Sequence, residues 1–309
     1  MRTERVGPEV SARRADRTVL VTGATGRQGG ATAARLLADG WRVRVLVRKG
    51  RKDAVDGLVQ TGAEAVTGDL DDPASLAAAA DGAYGIFGVT PDDKDPDREV
   101  RRGDNLATAA AQAGVRHFVF ASVGGAERPT GIGYWAAKRA VEERIAALGL
   151  PATVLRPVRF MENHTIPGLP FGGITGDGEL VHLFPPDVPV QLIATRDIGV
   201  FAALALARPE EYLGRALELA GDELTSRQAA ALISEFTGRP ITYRHLPAER
   251  AGLPPQAARA FADPAGIWHA DIPALRARHP ELTDFRTWLA AGGADRVTAL
   301  LRADRLARP

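Results

Sequence analysis

The chain has 309 residues, 45% of them hydrophobic, with 39 Lys+Arg against 38 Asp+Glu for a net charge of +1, and no cysteine. That balance gives no electrostatic case for nucleic acid or a membrane surface, and the lack of cysteine excludes disulfides, thiolate catalysis and cysteine-ligated metals. No apolar run reaches the ~18 residues of a membrane span, so the expectation is a cytoplasmic protein built as one large α/β unit, alone or with a smaller lobe.

Residues 1–17 carry Arg2, Arg5, Arg13, Arg14 and Arg17 and read as a disordered tail. Without an apolar h-region the Arg13-Arg14 pair does not read as an export signal. Val19-Leu20-Val21 then forms a buried parallel strand, Gly23, Gly26 and Gly29 follow at the spacing G-x-x-G-x-x-G, and 31–39 reads as a helix. Strand, glycine turn and helix in that order make a dinucleotide-phosphate site. The first glycine permits the turn, the second lets the backbone approach a pyrophosphate, and the third allows helix to pack on strand. Thr25, Arg27 and Gln28 lie inside this loop and join the candidate set.

The second strand, 41–47, ends at Arg48-Lys49, with Arg51 and Lys52 just beyond. A site for NAD carries an acidic residue about 20 residues past the glycines, to accept the ribose hydroxyls. Arg48 stands there instead, nineteen residues after Gly29, and a guanidinium binds a 2′-phosphate that a carboxylate would repel. The cofactor read from this position is NADP(H), with Arg27 able to close on the same phosphate. A solvated basic turn is the bland reading of Lys49, Arg51 and Lys52.

Alternation continues. A short strand at 65–67 leads into Asp69 and Leu70, and Asp72 is placed to cap a helix over 73–80. Asp69, at a strand end, either accepts the adenine amino group or serves as a loop carboxylate. A fourth strand, 84–89, ends at Val89-Thr90, a charged loop spans 92–97, and a helix follows over 100–113. The fifth strand, 118–121, ends at Ser122. Such alternation implies a parallel sheet with ligands at the strand carboxyl ends.

Tyr134 and Lys138 stand four apart on a helix over 134–147 and so share one face. Tyrosine and lysine are scarce here, four of each. The pair suits reduction by a nicotinamide cofactor: the ammonium holds the ribose and lowers the phenol pKa, the phenol delivers a proton, and Ser122 is placed to hydrogen-bond the substrate oxygen. The sixth strand, 152–155, runs out at Arg156-Pro157, placing Phe160, Met161, Asn163 and His164 at a cleft mouth. Phe160 and Met161 also fit plain packing, and His164 is either a second acid/base, a substrate contact or neither. Residues 165–190 are Gly- and Pro-rich loop and short-strand material. Asp197 reads as the cap of a helix over 198–207, 217–220 as a strand, Thr225 as the cap of a helix over 226–237, and 240–244 as a further strand. Trp268, Phe285 and Trp288 pack a small lobe. The six histidines show no metal-ligand spacing and no nucleophile elbow is present, so no metal site and no hydrolase are expected.

TGATGRQGG, GDLDD, AAQAGVRHFVFAS, LRPVRFMEN (155–163), IATRDIGVFAALAL (193–206), LELAGDELT (217–225) and PELTDFRTWL (280–289) together resemble the NmrA-like atypical short-chain dehydrogenase/reductases. The resemblance spans about 18–291. It implies an α/β fold, a Rossmann-type doubly wound parallel sheet over 18–157 joined by 217–220, and a C-terminal α/β lobe over 158–309 closing on a substrate cleft. It implies NADP(H) as cofactor, held by the glycine loop, Arg48, Lys49, Asp69, Leu70, Val89, Thr90, Lys138 and Pro157, with Phe160, Asn163 and His164 facing substrate. Relatives are either reductases of quinones, dyes or aromatic natural products, or NADP sensors acting through protein partners. Many carry His or another residue where Tyr134 stands, so this chain is similar to the catalytic kind. Ser122 falls only twelve residues before Tyr134, closer than in the catalytic members. Two readings follow: an NADPH-dependent reductase of a small carbonyl, quinone or conjugated acceptor, or an NADP(H)-sensing regulator. A monomer and a homodimer both fit.

Overall fold

A strand buried on both faces needs an unbroken apolar run, and Thr18–Val21 (β1) supplies one: Val19, Leu20 and Val21 are fully buried. The computed structural model describes residues 14–91, 95–166 and 172–306. After β1 come α1 (Arg27–Ala38), β2 (Arg42–Val47), α2 (Asp56–Gln60), β3 (Glu64–Thr67), α3 (Pro73–Ala80), β4 (Gly85–Gly88) and α4 (Pro96–Gln112). Next are β5 (His117–Ala121), α5 (Gly133–Ala147), β6 (Ala152–Pro157), β7 (Arg159–Phe160), β8 (Gly173–Ile174), β9 (Glu179–His182) and β10 (Pro189–Ile193). Then follow α6 (Thr195–Ala207), α7 (Pro209–Tyr212), β11 (Ala216–Leu219), β12 (Asp222–Thr225), α8 (Ser226–Thr237) and β13 (Thr242–His245).

Seven strands form one sheet in the order β11-β6-β5-β4-β1-β2-β3. Strands β1 to β6 pair in parallel, with Leu20 opposite both Arg44 and Ile86, and Phe118 opposite both Ile86 and Ala152. The chain moves outward from β1 through β2 and β3, then returns to β1's other side with β4. This reversal opens a crevice at the carboxyl ends of β1 and β4, where doubly wound sheets bind dinucleotides.

Two compact units interleave along the chain. The first holds residues up to Ser122 with Ala136–Leu155 and Ile198–Leu217. Its core gathers Leu20, Leu46, Leu76, Ile86, Leu106, Phe118, Phe120, Val141 and Ile145. The second holds Val123–Trp135, Arg156–Asp197 and the chain from Glu218. It contains two three-stranded sheets, β12-β10-β7 and β13-β9-β8. One of its cores centres on Met161, Ile233, Phe285 and Trp288, another on Trp135, Phe184 and Ile267 with Trp268 against them.

Local signals hold where they are strong. The Asp72 carboxylate accepts from the amides of Ala74 and Ser75, and Thr225 forms a full capping box with Gln228. Three expectations need correction. The first helix starts at Arg27, not 31, because Gly29 and Gly30 sit within its opening turns. Residues 14–17 do not behave as a free tail: the Arg14 guanidinium lies 5.7 Å from the Trp41 ring and that of Arg17 4.4 Å from the Tyr84 ring; the rest of the expected tail, 1–13, lies outside the described residues, as do 92–94 of the charged loop and 167–171. Asp197 is inside α6 and caps nothing. Its fully buried carboxylate takes His279 Nε2 and the Thr283 amide, each at 3.0 Å, and so ties the late chain to α6.

His117, fully buried in β5, shows how the sheet depends on protonation. The Thr153 hydroxyl donates to Tyr212 O at 2.8 Å, so it accepts from His117 Nε2 at 2.7 Å, and Nδ1 is left buried with no partner among the described residues. Burial holds the ring's pKa down to about 4. An unfolded chain protonates this ring first, so its contribution is complete above the ordinary histidine range and is lost as pH falls from there towards 4. We expect urea unfolding to lose up to about 3 kcal/mol through this group across that window, and His117→Gln to flatten the profile by one proton.

Candidate active site

The nucleotide cradle is built by closeness. Thr22 Oγ1 donates to Val89 O at 2.9 Å and accepts from Val89 N at 2.8 Å, clamping the end of β1 to the end of β4. Gly23 has φ +63°, and a Cβ there would meet Val89 Cγ1 at 2.4 Å. The Gly26 amide closes the turn on Gly23 O at 2.8 Å. Gly26 caps α1 without a side chain, so the first-turn amides keep their N–H groups for an anion. Gln28 Oε1 is buried without a partner among the described residues, as an acceptor awaiting a ligand hydroxyl would be. Cradle, open amides and orphaned acceptor fit a dinucleotide.

Thr25 and Arg27 are exposed at the rim of the cradle, and Arg48 and Lys49 are exposed at the end of β2. None of these cations has an ion pair among the described residues. Asp69 takes the loop role in part, one oxygen accepting the Asp71 amide at 3.0 Å; Leu70 O accepts Asn105 Nδ2 at 2.9 Å.

Lys138 is buried and engaged. Its Nζ donates to Thr90 O at 2.9 Å, to Thr90 Oγ1 at 2.7 Å and to Glu99 Oε1 at 2.7 Å, while Thr90 Oγ1 donates to the same Glu99 oxygen at 2.8 Å. Glu99 is fully buried, and its Oε2 has no partner among the described residues. Sequence reasoning missed Glu99: it sits in a charged helix, and only the fold turns it inward. The buried Ser122 hydroxyl donates to Glu142 Oε1 at 2.5 Å, on the helix turn after Lys138. Tyr134 lies one turn before Lys138 and is 37% exposed, its ring edge-on to Trp135.

On the second unit, Pro157 ends β6 and is buried, and Phe160 pairs with Ile193 in the β7–β10 ladder. Asn163 is half-buried in a single helical turn whose Met161 belongs to the core. His164 is buried against Phe285 and Trp288, with burial holding its pKa down to about 3. It lines a cavity with Arg159 and His182, neither of which the sequence singled out. Their signal was absent because the strand bringing His182 beside Arg159 lies in the Gly- and Pro-rich stretch. Among the described residues no three His, Cys, Asp or Glu side chains group to hold a metal, and no helix is long and apolar enough to cross a membrane.

A sheet reversed between β1 and β4, with a glycine cradle at that point, defines a dinucleotide-binding Rossmann protein. The model of the NmrA-like family matches residues 15–259. The chain is 37% identical over 255 residues to a (4-alkanoyl-5-oxo-2,5-dihydrofuran-3-yl)methyl phosphate reductase of Streptomyces griseus, covering 80% of this chain and 86% of that one. It is 31% identical over 236 residues to an NAD(P)H azoreductase of Xenophilus azovorans, covering 75% and 78%. Among solved structures, a triphenylmethane reductase of Citrobacter sp. complexed with NADP(H) matches with a TM-score of 0.71 at 23% identity, over 89% of this chain and 99% of that one. The negative transcriptional regulator NmrA matches with a TM-score of 0.77 at 22% identity, over 94% and 98%. The chain belongs to the NmrA-like family of NAD(P)-binding oxidoreductases.

Glu99 and Lys138 form a buried ion pair, so removing one partner strands the other charge. We expect Glu99→Gln alone to lower stability by about 3 kcal/mol, and Glu99→Gln with Lys138→Met to recover most of that loss in a double-mutant cycle read by denaturant unfolding.

Proposed function

We propose that the protein is an NADPH-dependent reductase of a conjugated carbonyl acceptor. The observation that carries this reading is Tyr134 standing one helical turn before the buried, carboxylate-paired Lys138. Bound NADPH supplies hydride from nicotinamide C4. The α1 amides bind the pyrophosphate and Arg48 the 2′-phosphate. Lys138 spends its three N–H groups on Thr90 O, Thr90 Oγ1 and Glu99 Oε1, so it acts as a positioning residue that fixes the helix turn following Tyr134. As hydride adds to the β-carbon of the acceptor, the π electrons move to its carbonyl oxygen, and Tyr134 gives that oxygen its proton. The phenolate regains a proton from water. Ser122 holds Glu142 and with it the turn of α5 that follows Lys138.

The acceptor class is supported by the Streptomyces griseus relative, whose named substrate is an oxo-dihydrofuran with an alkanoyl group and a methyl phosphate. A sensor of NADP(H) needs no proton donor, so Tyr134 separates the two readings. In NADPH oxidation followed at 340 nm with an oxo-dihydrofuran acceptor, we expect Tyr134→Phe to lower kcat by about 10²–10⁴-fold while leaving NADPH affinity intact. Arg48→Ala is expected to weaken NADPH by about tenfold to a hundredfold with little effect on NADH. Undiminished turnover in the first variant removes the proton donor; equal loss for both cofactors in the second removes the 2′-phosphate contact.

A further inference from the structure

The second unit holds a half-buried cation that the reductase reading does not use. Arg159 donates from Nη2 to Gly172 O at 2.8 Å, and no carboxylate among the described residues pairs with it. Burial holds its pKa down to about 10, against the pull of the Tyr134 and Tyr243 phenols. A half-buried guanidinium without a carboxylate partner is a ready ligand for an oxyanion.

Arg159 opens on a cavity of about 20 Å³, lined also by His164, His182, Thr225 and Ser226, with no carboxylate among its lining residues. Space of this size admits a water or an oxyanion's oxygen. His182 is 4% exposed and its Nδ1 accepts the Phe184 amide at 3.1 Å, so the neutral ring carries its proton on Nε2, as a donor. His164 is 3% exposed and its Nδ1 donates to Met161 O at 2.8 Å, which leaves Nε2 as an acceptor. Ser226 begins the twelve-residue helix α8, whose positive end therefore meets the cavity wall.

A carboxylate offers only acceptors. A phosphate monoester in its monoanionic form offers acceptor oxygens and one P–OH donor, which matches a guanidinium, a donor histidine and an acceptor histidine. We propose that this cavity is where a phosphate monoester group docks one of its oxygens, with Arg159 as the main ligand, His182 as a second donor and His164 as an acceptor for a P–OH. The Tyr134 phenol is among the groups that pull the Arg159 pKa upward. Only the statement that the monoester is the acceptor rests on the reductase reading.

The test is calorimetric titration of the full chain, saturated with NADP⁺ so that the cofactor's own phosphate sites are filled, with phenyl phosphate and with benzoate. Saturable binding of phenyl phosphate, weakened at least about tenfold by Arg159→Gln and partly restored in Arg159→Lys, is the expected result. No binding, binding indifferent to Arg159→Gln, or equal affinity for benzoate overturns the proposal. If Arg159→Gln fails to unfold cooperatively, His182→Phe is titrated instead, and unchanged affinity in it is equally decisive. Phosphate binding without NADPH turnover on any acceptor supports the subsite and removes the reductase reading; turnover of a neutral acceptor without phosphate binding does the reverse.

Discussion

A Cβ built on Gly29 would lie 2.3 Å from the carbonyl oxygen of Gly23, a separation that no substituted residue tolerates. Because that space is empty, α1 can begin directly against the end of β1, and its opening amides lie where the sheet reverses. The same closeness recurs beyond the turn. A Cβ on Gly23 would strike Val89, and one on Gly199 would come within 2.7 Å of Ala31 O, so α6 rests on α1 with backbone near backbone. The cradle is thus a consequence of three missing side chains and of the Thr22–Val89 clamp that fixes β1 to β4.

A second constraint governs the chemistry. Lys138 is buried at a level where an ammonium survives only with partners, and Thr90 and Glu99 supply them from the end of β4 and from α4. This fixes α5 at the turn that carries the ammonium. The Ser122–Glu142 hydrogen bond fixes it again one turn later. Tyr134 stands one turn earlier and is more exposed.

Much of this was legible in the sequence because the signals are local. The alternation of apolar runs with capped helices gave the sheet, and Asp72, Thr225 and the three glycines each state a backbone requirement in their own side chain or lack of one. What escaped is what depends on distant segments. Asp197 looks like a helix cap until His279 and Thr283, more than eighty residues later, reach its carboxylate. The hydrogen bond that Ser122 gives Glu142 at 2.5 Å joins positions twenty residues apart. Arg159, His182 and Glu99 carry no motif, and their importance lies in the neighbours the fold gives them, which composition and spacing do not encode.

A reductase moves hydride, whereas a sensor only binds its cofactor. The direct measurement uses NADPH deuterated at nicotinamide C4, one face at a time, with an oxo-dihydrofuran acceptor and mass spectrometry of the product. One deuterium in the product from one of the two labelled faces, and none from the other, is the expected result. Tight cofactor binding with no deuterium transferred from either face would contradict it.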